Sequence, residues 1–316
     1  MDYGLHLAVS DPAVRPEDLI RFAQRAEQLG FSCLTVADHI VIPKKIASPY
    51  PYTVDGHFPG RGHHLEQVTA LAFIAGATER IRLVTSVMIA PYRHPVVVAK
   101  MLSTLDFLSR GRVILGLGAG WMREEFQLVG APRFEDRGRV TDEYIRAFKE
   151  LWTKENPSFA GAYCNFSELT FSPKPTQKPH IPIWIGGHSD RALRRAAELG
   201  DGWHPIGGVP TVPLEPEDLE TRLEKLAGYA RAAGRNPKEI RVAFKASLFD
   251  RGIEARAGRR RRFIGNAEEI AADVRDYQRA GVDCLILDVR SSDPAQSLEQ
   301  LDWLAGEVLP RVKDES

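Results

Sequence analysis

Eight short runs of apolar, often β-branched residues recur along the chain, separated by longer segments with the periodicity of amphipathic helices. The runs are Tyr3–Val9, Cys33–Ala37, Ile81–Ile89, Val113–Leu117, Ile181–Ile185, Gly202–His204, Ile240–Leu248 and Cys284–Val289. Pro16 to Leu29 shows the helical pattern, with Leu19, Phe22 and Ala26 on one face, and Gly30 is suited to end it. Eight such units predict a closed parallel (β/α)8 TIM barrel, because a doubly wound sheet usually needs fewer strands and a recognisable nucleotide fingerprint.

Length and charge narrow the class of protein further. With 316 residues, 43% of them hydrophobic, we expect one large domain spanning residues 1–316. Lys+Arg and Asp+Glu both number 42, so no net charge attracts the chain to nucleic acid or an anionic membrane, and a small-molecule partner is expected. No signal-peptide pattern or membrane-length apolar run is visible, which predicts a cytoplasmic protein. Cys33, Cys164 and Cys284 lack metal-like spacing and are interpreted as core thiols.

Two connections are too long to be plain turns: Ile42 to His64 after the second run, and Lys154 to Pro179 before the fifth. Long ordered loops on a barrel usually shape the substrate site. The first carries aromatic residues that suit a wall for an apolar or aromatic substrate, and its histidines have no carboxylates at regular spacing, so no metal site is predicted. The aromatic residues are Tyr50, Tyr52 and Phe58, and the histidines are His57, His63 and His64. The second connection is expected to make a small excursion before returning to the fifth strand.

In a barrel enzyme the catalytic groups lie where strands end, and the second run ends in Asp38-His39. An imidazole can exchange a proton near neutral pH, and an adjacent carboxylate can orient it. His39 is therefore the candidate catalytic acid or base, with Asp38 as its neighbour. The same two residues are equally consistent with a loop cap and a structural histidine.

Glycines follow the fourth and fifth runs. The segment GLGAGW is not a dinucleotide fingerprint, because its glycines are spaced two and two and no acidic partner follows at the expected distance. Gly118 and Gly120 could let a flat ring lie against the backbone, or could serve a turn. Gly186 and Gly187 precede a helix that opens near Ser189, where free backbone N–H groups suit a phosphate, although a plain strand-to-helix turn has the same composition. No nucleophile elbow, Walker loop or paired-carboxylate motif supports a hydrolase or a kinase.

With these residues in place, the chain resembles the luciferase-like monooxygenase superfamily along nearly its whole length, in particular its coenzyme F420-dependent oxidoreductase branch. The carrying segments are LTVADHI, RIRLVTSVMIAPYRHPVVVAKMLSTLDFLSRGRVILGLGAGW, FEDRGRVTDEYI and PKPTQKPHIPIWIGGHSDRALRRAAELGDGWHP. The resemblance implies a deazaflavin or flavin ring at the barrel mouth, with a non-proline cis peptide behind it at Ser86-Val87. It also implies that Asp38 and His39 lie beside the reactive edge of the ring, that the Gly186-Gly187 turn holds the cofactor phosphate, and that the chain forms a homodimer.

One departure narrows the activity within that family. The F420-dependent sugar-phosphate dehydrogenases carry a tryptophan a few residues after the histidine and a glutamate directly after the fourth strand, where this chain has Pro43 and Trp121. Sugar-phosphate oxidation is therefore not expected. The leading hypothesis is hydride transfer between coenzyme F420 and a small organic substrate. The alternatives are an FMN-dependent monooxygenase, which often has a glutamate and histidine pair at the second strand, and a non-redox barrel, which would have no use for the bulge at Ser86-Val87.

A run of arginines follows the seventh strand, before a helix beginning near Ala267. They are Arg251, Arg256, Arg259, Arg260, Arg261 and Arg262. Loops that follow strands open on the active-site face, so these side chains could reach the anionic tail of F420. A solvated loop and a set of ion pairs at a dimer surface are the alternative interpretations.

Overall fold

Parallel strands close into an eight-stranded barrel in the computed structural model, which describes residues 1–7, 14–60, 63–209, 211–246, 260–289, 291 and 293–313. The strands are β1 (Asp2–His6), β2 (Cys33–Val36), β3 (Arg82–Thr85), β4 (Met88–Ile89), β5 (Val113–Gly118), β6 (Phe159–Ala160), β7 (Asn165–Phe166), β8 (Ile183–Gly186), β9 (Gly202–His204), β10 (Ile206–Gly207), β11 (Arg241–Ala246) and β12 (Cys284–Leu287). Around the barrel the order is β1, β2, β3, β5, β8, β9, β11 and β12, and β12 pairs with β1 to close it. The predicted (β/α)8 TIM barrel is confirmed.

Helices connect successive strands and cover the outside of the barrel. They are α1 (Pro16–Gln28), α2 (Gln67–Ala75), α3 (Pro95–Leu108), α4 (Arg123–Leu128), α5 (Arg137–Thr153), α6 (Asp190–Leu199), α7 (Pro216–Ala232), α8 (Ala267–Arg279), α9 (Pro294–Trp303) and α10 (Leu309–Lys313). Gly30 has φ +84°, the left-handed conformation that ends a helix, as predicted for α1. Within the residues that the structure describes, no helix is long and apolar enough to cross a membrane.

Each of the eight predicted runs contains a barrel strand, with ends that differ by a few residues. The largest difference is in the third run, which breaks between Thr85 and Met88 into β3 and β4. The Ser86-Val87 peptide at the break is cis, as predicted. The ends of the first and seventh runs, at Val9 and Leu248, lie outside the described residues. The excursion predicted before the fifth barrel strand is the antiparallel hairpin of β6 and β7.

The apolar core has two layers because side chains alternate along each barrel strand. Outward-facing residues such as Leu34, Leu83 and Leu115 pack with the buried faces of the helices. A smaller cluster consists only of strand residues and fills the barrel interior; it contains Cys33, Val84, Ile114, Trp184, Ala243, Cys284 and Ile286. All three cysteines are buried and unbonded, as expected for core thiols.

Candidate active site

His39 lies just beyond β2 and is held by a carboxylate from another strand end. Its Nδ1–H donates to Oε2 of Glu125, on α4, at 2.7 Å. The His39 side chain is 12% exposed and that of Glu125 is fully buried. Among the described residues, no hydrogen bond reaches Nε2 of His39. The imidazole is thus fixed at one nitrogen, while the other can meet a ligand.

Four donors keep the buried carboxylate of Glu125 ionised. Besides His39, they are the backbone N–H groups of Ile40 (2.7 Å) and Val41 (3.2 Å) and the hydroxyl of Tyr92 (2.9 Å). Burial raises the pKa of Glu125, but the hydrogen bonds outweigh it, so its pKa lies below the usual value. Burial and the nearby carboxylate raise the pKa of Tyr92, which therefore remains a donor. A stable anion behind an imidazole favours the form that carries a proton on Nδ1.

Asp38 does not orient His39, and that part of the sequence interpretation is wrong. Both oxygens of its fully buried carboxylate bind the guanidinium of Arg93, at 2.8 and 2.9 Å, and one also accepts from the backbone N–H of Ile89. Arg93 in turn binds Glu66 at 2.8 Å. Asp38 therefore joins the end of β2 to the segment after β4. Whether it also contacts a cofactor stays a prediction.

The glycines that end β5 and β8 make room for the side chain of Val87. A Cβ on Gly118 would lie 2.6 Å from Cγ2 of Val87, and one on Gly186 would lie 2.9 Å from Cγ1. Gly120 has φ +85°, and a Cβ there would meet Phe126 at 2.7 Å. These contacts alone require glycine at the three positions. Their assignment to cofactor binding therefore stays a prediction.

Ser86 is anchored from inside the barrel by a histidine that the sequence did not single out. The Ser86 hydroxyl donates to Nε2 of His204 at 2.9 Å, and Nδ1–H of His204 donates to the carbonyl of Ala243 at 2.6 Å. Burial lowers the pKa of His204 to about 4, so the ring is neutral and accepts from Ser86. The bulge between β3 and β4 is therefore tied to β9 and β11.

The Gly186-Gly187 turn leads into α6, as expected from the sequence. Gly187 has φ +110°, and its carbonyl accepts from the indole N–H of Trp203 at 2.9 Å. Ser189 is the exposed N-cap of α6, and its Oγ accepts from the backbone N–H of Ala192 at 3.2 Å. The O–H of Ser189 remains available to donate, and a helix N-terminus favours an anion. These features are compatible with the predicted phosphate site.

Aromatic side chains of the long connection after β2 pack beside His39. Phe58 lies 5.0 Å from the His39 ring, and Trp121 lies 6.5 Å from it, measured between ring centroids. Tyr50, Phe58 and Trp121 lie 5.1 to 5.4 Å from one another. We call these three residues the aromatic wall. Trp121, which follows β5, was named in the sequence only as a departure, and the structure places it inside this wall.

The histidines of the same connection do not form a metal site. Within the described residues, no group of three or more His, Cys, Asp or Glu side chains could hold an ion. His64 instead packs against His39, with ring centroids 5.2 Å apart. Burial, with a contribution from His39, lowers the pKa of His64 to about 4. His64 is therefore a neutral neighbour of His39 at neutral pH.

Two arginines of the run after β11 form ion pairs within the chain. Arg260 binds both oxygens of the buried Asp273 at 2.6 and 2.7 Å, and Arg262 binds Asp273 at 2.8 Å and Asp276 at 2.6 Å. Arg261 is exposed and donates to the carbonyl of Gly208. Arg251, Arg256 and Arg259 lie outside the described residues. The hypothesis that adjacent arginines follow a cofactor tail therefore loses Arg260 and Arg262.

Glu125 is the functional residue that sequence reasoning missed. It lies 86 positions from His39, and only the closure of the barrel brings the ends of β2 and β5 together. A usable signal was present, because Glu124 and Glu125 follow the glycine-rich end of a barrel strand. Extending the inspection of that strand end by four residues beyond Trp121 would have included it.

Comparison with known proteins gives both a family and relatives. The model of the family described as luciferase-like monooxygenase matches residues 5–257. Uncharacterized protein Rv0940c of Mycobacterium tuberculosis is 36% identical over 226 residues, which are 71% of this chain and 75% of the relative. The FMNH(2)-dependent dimethylsulfone monooxygenase of Pseudomonas putida is 31% identical over 63% of this chain and 52% of its own length. The F420-dependent glucose-6-phosphate dehydrogenase of Amycolatopsis mediterranei is 31% identical over 60% of this chain and 53% of its own length.

Solved structures share the fold over the whole length. An F420-dependent secondary alcohol dehydrogenase, in complex with an F420-acetone adduct, matches with a TM-score of 0.77 at 20% identity, covering 99% of both chains. The monooxygenase RslO1 from Streptomyces bottropensis matches with a TM-score of 0.76 at 22% identity, covering 98% of this chain and 99% of the other. At these identities the likeness establishes the barrel architecture and leaves the cofactor open between deazaflavin and flavin.

Proposed function

The chain belongs to the luciferase-like monooxygenase family, and from that premise we propose that it is a coenzyme F420-dependent oxidoreductase. In this proposal a hydride moves between the deazaflavin and a small organic substrate. The observation that carries the proposal is the His39–Glu125 pair, which leaves one imidazole nitrogen open at the barrel mouth beside a buried anion. Transfer of a hydride to or from a carbon that bears oxygen requires a proton donor or acceptor for that oxygen, and this pair supplies one.

The residues at the mouth fit a flat ring system with an anionic tail. The bulge at Ser86-Val87 would lie against the ring, and the turn at Gly186-Gly187 with the exposed O–H of Ser189 would hold a phosphate. When bound there, the deazaflavin accepts or returns the two electrons and one hydrogen of a hydride. The protein's own residues bind it and orient it, and they manage the proton.

His39 moves that proton at Nε2. In the direction of alcohol oxidation, Nε2 takes the hydroxyl proton while the hydride leaves the same carbon, and a carbonyl forms. Nδ1–H stays bonded to the carboxylate of Glu125, which stabilises the imidazolium that results. In the reverse direction the imidazolium returns its proton to the carbonyl oxygen. Glu125 acts here through His39 and is a positioning residue.

The second candidate function is an FMN-dependent monooxygenase. It is favoured by the relative from Pseudomonas putida, which is as similar in identity as the F420-dependent one. The F420 proposal is supported instead by the single fixed histidine at the end of β2, since the sequence offers ADH there and not a glutamate and histidine pair.

Binding of the two cofactors to the purified protein, freed of bound cofactor, decides between these functions. We expect F420 to bind at least about tenfold more tightly than FMN, a difference of about 1.4 kcal/mol. Equilibrium titration that follows the fluorescence of each cofactor measures both affinities. Tighter binding of FMN would reject the proposal in favour of the monooxygenase.

A further inference from the structure

The aromatic wall forms one side of the space in front of His39. Its three rings contact one another at 5.1 to 5.4 Å in tilted or edge-on geometry, which is how aromatic side chains pack favourably. Phe58 and Trp121 also face the His39 ring. A ligand that presents a reacting carbon to His39 therefore meets apolar ring surface next to it.

The wall is held in place at several points. Glu124 accepts from the backbone N–H groups of Ala47 and Ser48 at 2.8 and 3.0 Å, while Glu125 binds those of Ile40 and Val41. Farther along, the hydroxyl of Thr211 donates to the carbonyl of Pro51 at 2.9 Å. The loop that carries Tyr50 is therefore fixed before a ligand arrives, and such preorganisation reduces the entropy cost of binding.

The ionisable groups around the wall offer nothing to a charged ligand. Asp38 and Glu125 are fully buried, and their carboxylates are already engaged by donors of the protein. Burial holds His64 neutral, and it raises the pKa of Tyr52 to about 12, so that this phenol is neutral as well. A carboxylate or phosphate placed here would lose its hydration without gaining a counter-ion. A neutral apolar group gains from the same surroundings.

Positive charge occurs close by, but in another place. Trp121 also lines a groove of about 480 Å³ together with Arg123, Glu124 and Arg137. Arg123 is paired with Glu135 at 2.5 Å, and the guanidinium of Arg137 lies 4.1 Å from the centroid of the Phe134 ring. An anionic ligand would therefore bind in this groove and depend on Arg137. The two kinds of ligand make different demands on the chain.

We propose that the aromatic wall binds a neutral aromatic or otherwise apolar carbonyl compound, or the matching secondary alcohol, and holds its reacting carbon in front of His39. The inference rests on the proposed function, because that reaction requires a carbon–oxygen group at this place. Oxidation of the alcohol sends its hydride to the deazaflavin and its hydroxyl proton to Nε2 of His39, and reduction of the carbonyl reverses both transfers. The wall residues thereby select the substrate class, and phosphorylated sugars are disfavoured.

Two probes with the same ring skeleton test the proposal on the purified protein by equilibrium dialysis. We expect neutral 2-acetylnaphthalene to bind at least about tenfold more tightly than anionic 2-naphthoate, because only the latter must bury a charge. Trp121→Leu and Phe58→Leu should each weaken binding of 2-acetylnaphthalene about tenfold, through the loss of ring contacts and apolar area. Phe159→Leu, in the distant β6–β7 hairpin, should leave that affinity unchanged.

Two outcomes would overturn the proposal. In the first, 2-naphthoate binds as tightly as the ketone and is weakened by Arg137→Gln, which assigns the ligand to the groove. In the second, both wall variants keep the parent affinity for 2-acetylnaphthalene while circular dichroism shows them folded. The dialysis needs no cofactor, so either failure is distinguishable from a failure of F420 binding.

Discussion

Glu125 combines complete burial with four hydrogen-bond donors, so its negative charge is stabilised by the protein alone. A buried carboxylate with fewer partners would be protonated and would lose its influence on His39. The two backbone donors come from the residues directly after His39, so the same carboxylate orients the imidazole and fixes the chain that carries it. The orientation of the proton-transfer group is therefore built into the backbone.

Substitutions of the two partners separate proton transfer from binding. We expect His39→Ala to lower kcat by about 10²–10⁴-fold, because it removes the proton donor or acceptor, with little change in the dissociation constant for F420. Glu125→Gln should also lower kcat, because the neutral amide no longer stabilises the imidazolium. Steady-state kinetics combined with cofactor titration measures both effects.

A matched control for Glu125→Gln exists elsewhere in the chain. Glu143 accepts from three backbone N–H groups near the β6–β7 hairpin, far from the mouth, so Glu143→Gln removes a similar set of bonds without touching His39. Its kcat should match that of the parent. If His39→Ala keeps its turnover and loses F420 instead, His39 is a cofactor contact and not the proton-transfer group.

Among the elements, β3, β4, β5 and β8 meet at the side chain of Val87. We expect Gly118→Ala to destabilise the protein by about 1–3 kcal/mol, since the new Cβ would lie 2.6 Å from Val87 and the strands are packed too closely to relax freely. Gly228→Ala, on α7 with open space around the position, should be neutral or stabilising by up to about 1 kcal/mol. Urea denaturation of both variants measures the difference, and equal midpoints would contradict the close packing inferred for Val87.

Prediction from sequence succeeded where the signal is local and failed where it is distant. The periodicity of each run is set by its own residues, so eight strands and the break at Ser86-Val87 could be anticipated. The partners of Asp38 and His39 could not, because Arg93 and Glu125 reach them from 55 and 86 positions away. Adjacency in sequence suggested an Asp38–His39 interaction, and the barrel placed a different carboxylate against each face of the problem: Glu125 for His39, and Asp38 for Arg93.

At the scale of the whole molecule, α2 and α3 present an apolar surface that this chain does not cover. Phe73, Val97, Phe107 and Leu108 are 45% to 68% exposed on these two helices, which pack against each other. Contiguous exposed apolar surface of this kind is typical of an interface. The resemblance to a family of dimers leads us to propose that a second copy of the chain covers it.

Charge placed on this surface should separate the copies. We expect the parent protein to be a dimer and the double variant Phe107→Glu with Leu108→Glu to be a monomer, because burying two carboxylates in an apolar interface is costly. Leu128→Glu, an equally exposed leucine on α4, serves as the control and should stay dimeric. Light scattering coupled to size-exclusion chromatography measures the mass of each. A monomeric parent, or a dimeric double variant, would exclude this face as the interface.

The adjacent glutamates at the start of α4 have a consequence for redesign. Glu124 fixes residues 47 and 48 of the loop, and Glu125 fixes residues 40 and 41 together with the imidazole. A loop transplanted from a relative to widen the choice of substrates would arrive without the helical turn that its backbone was shaped to meet, and the proton-transfer group would lose its alignment. The unit of exchange in this barrel is therefore residues 38–60 together with residues 120–128, two stretches that must be inherited or engineered as a pair.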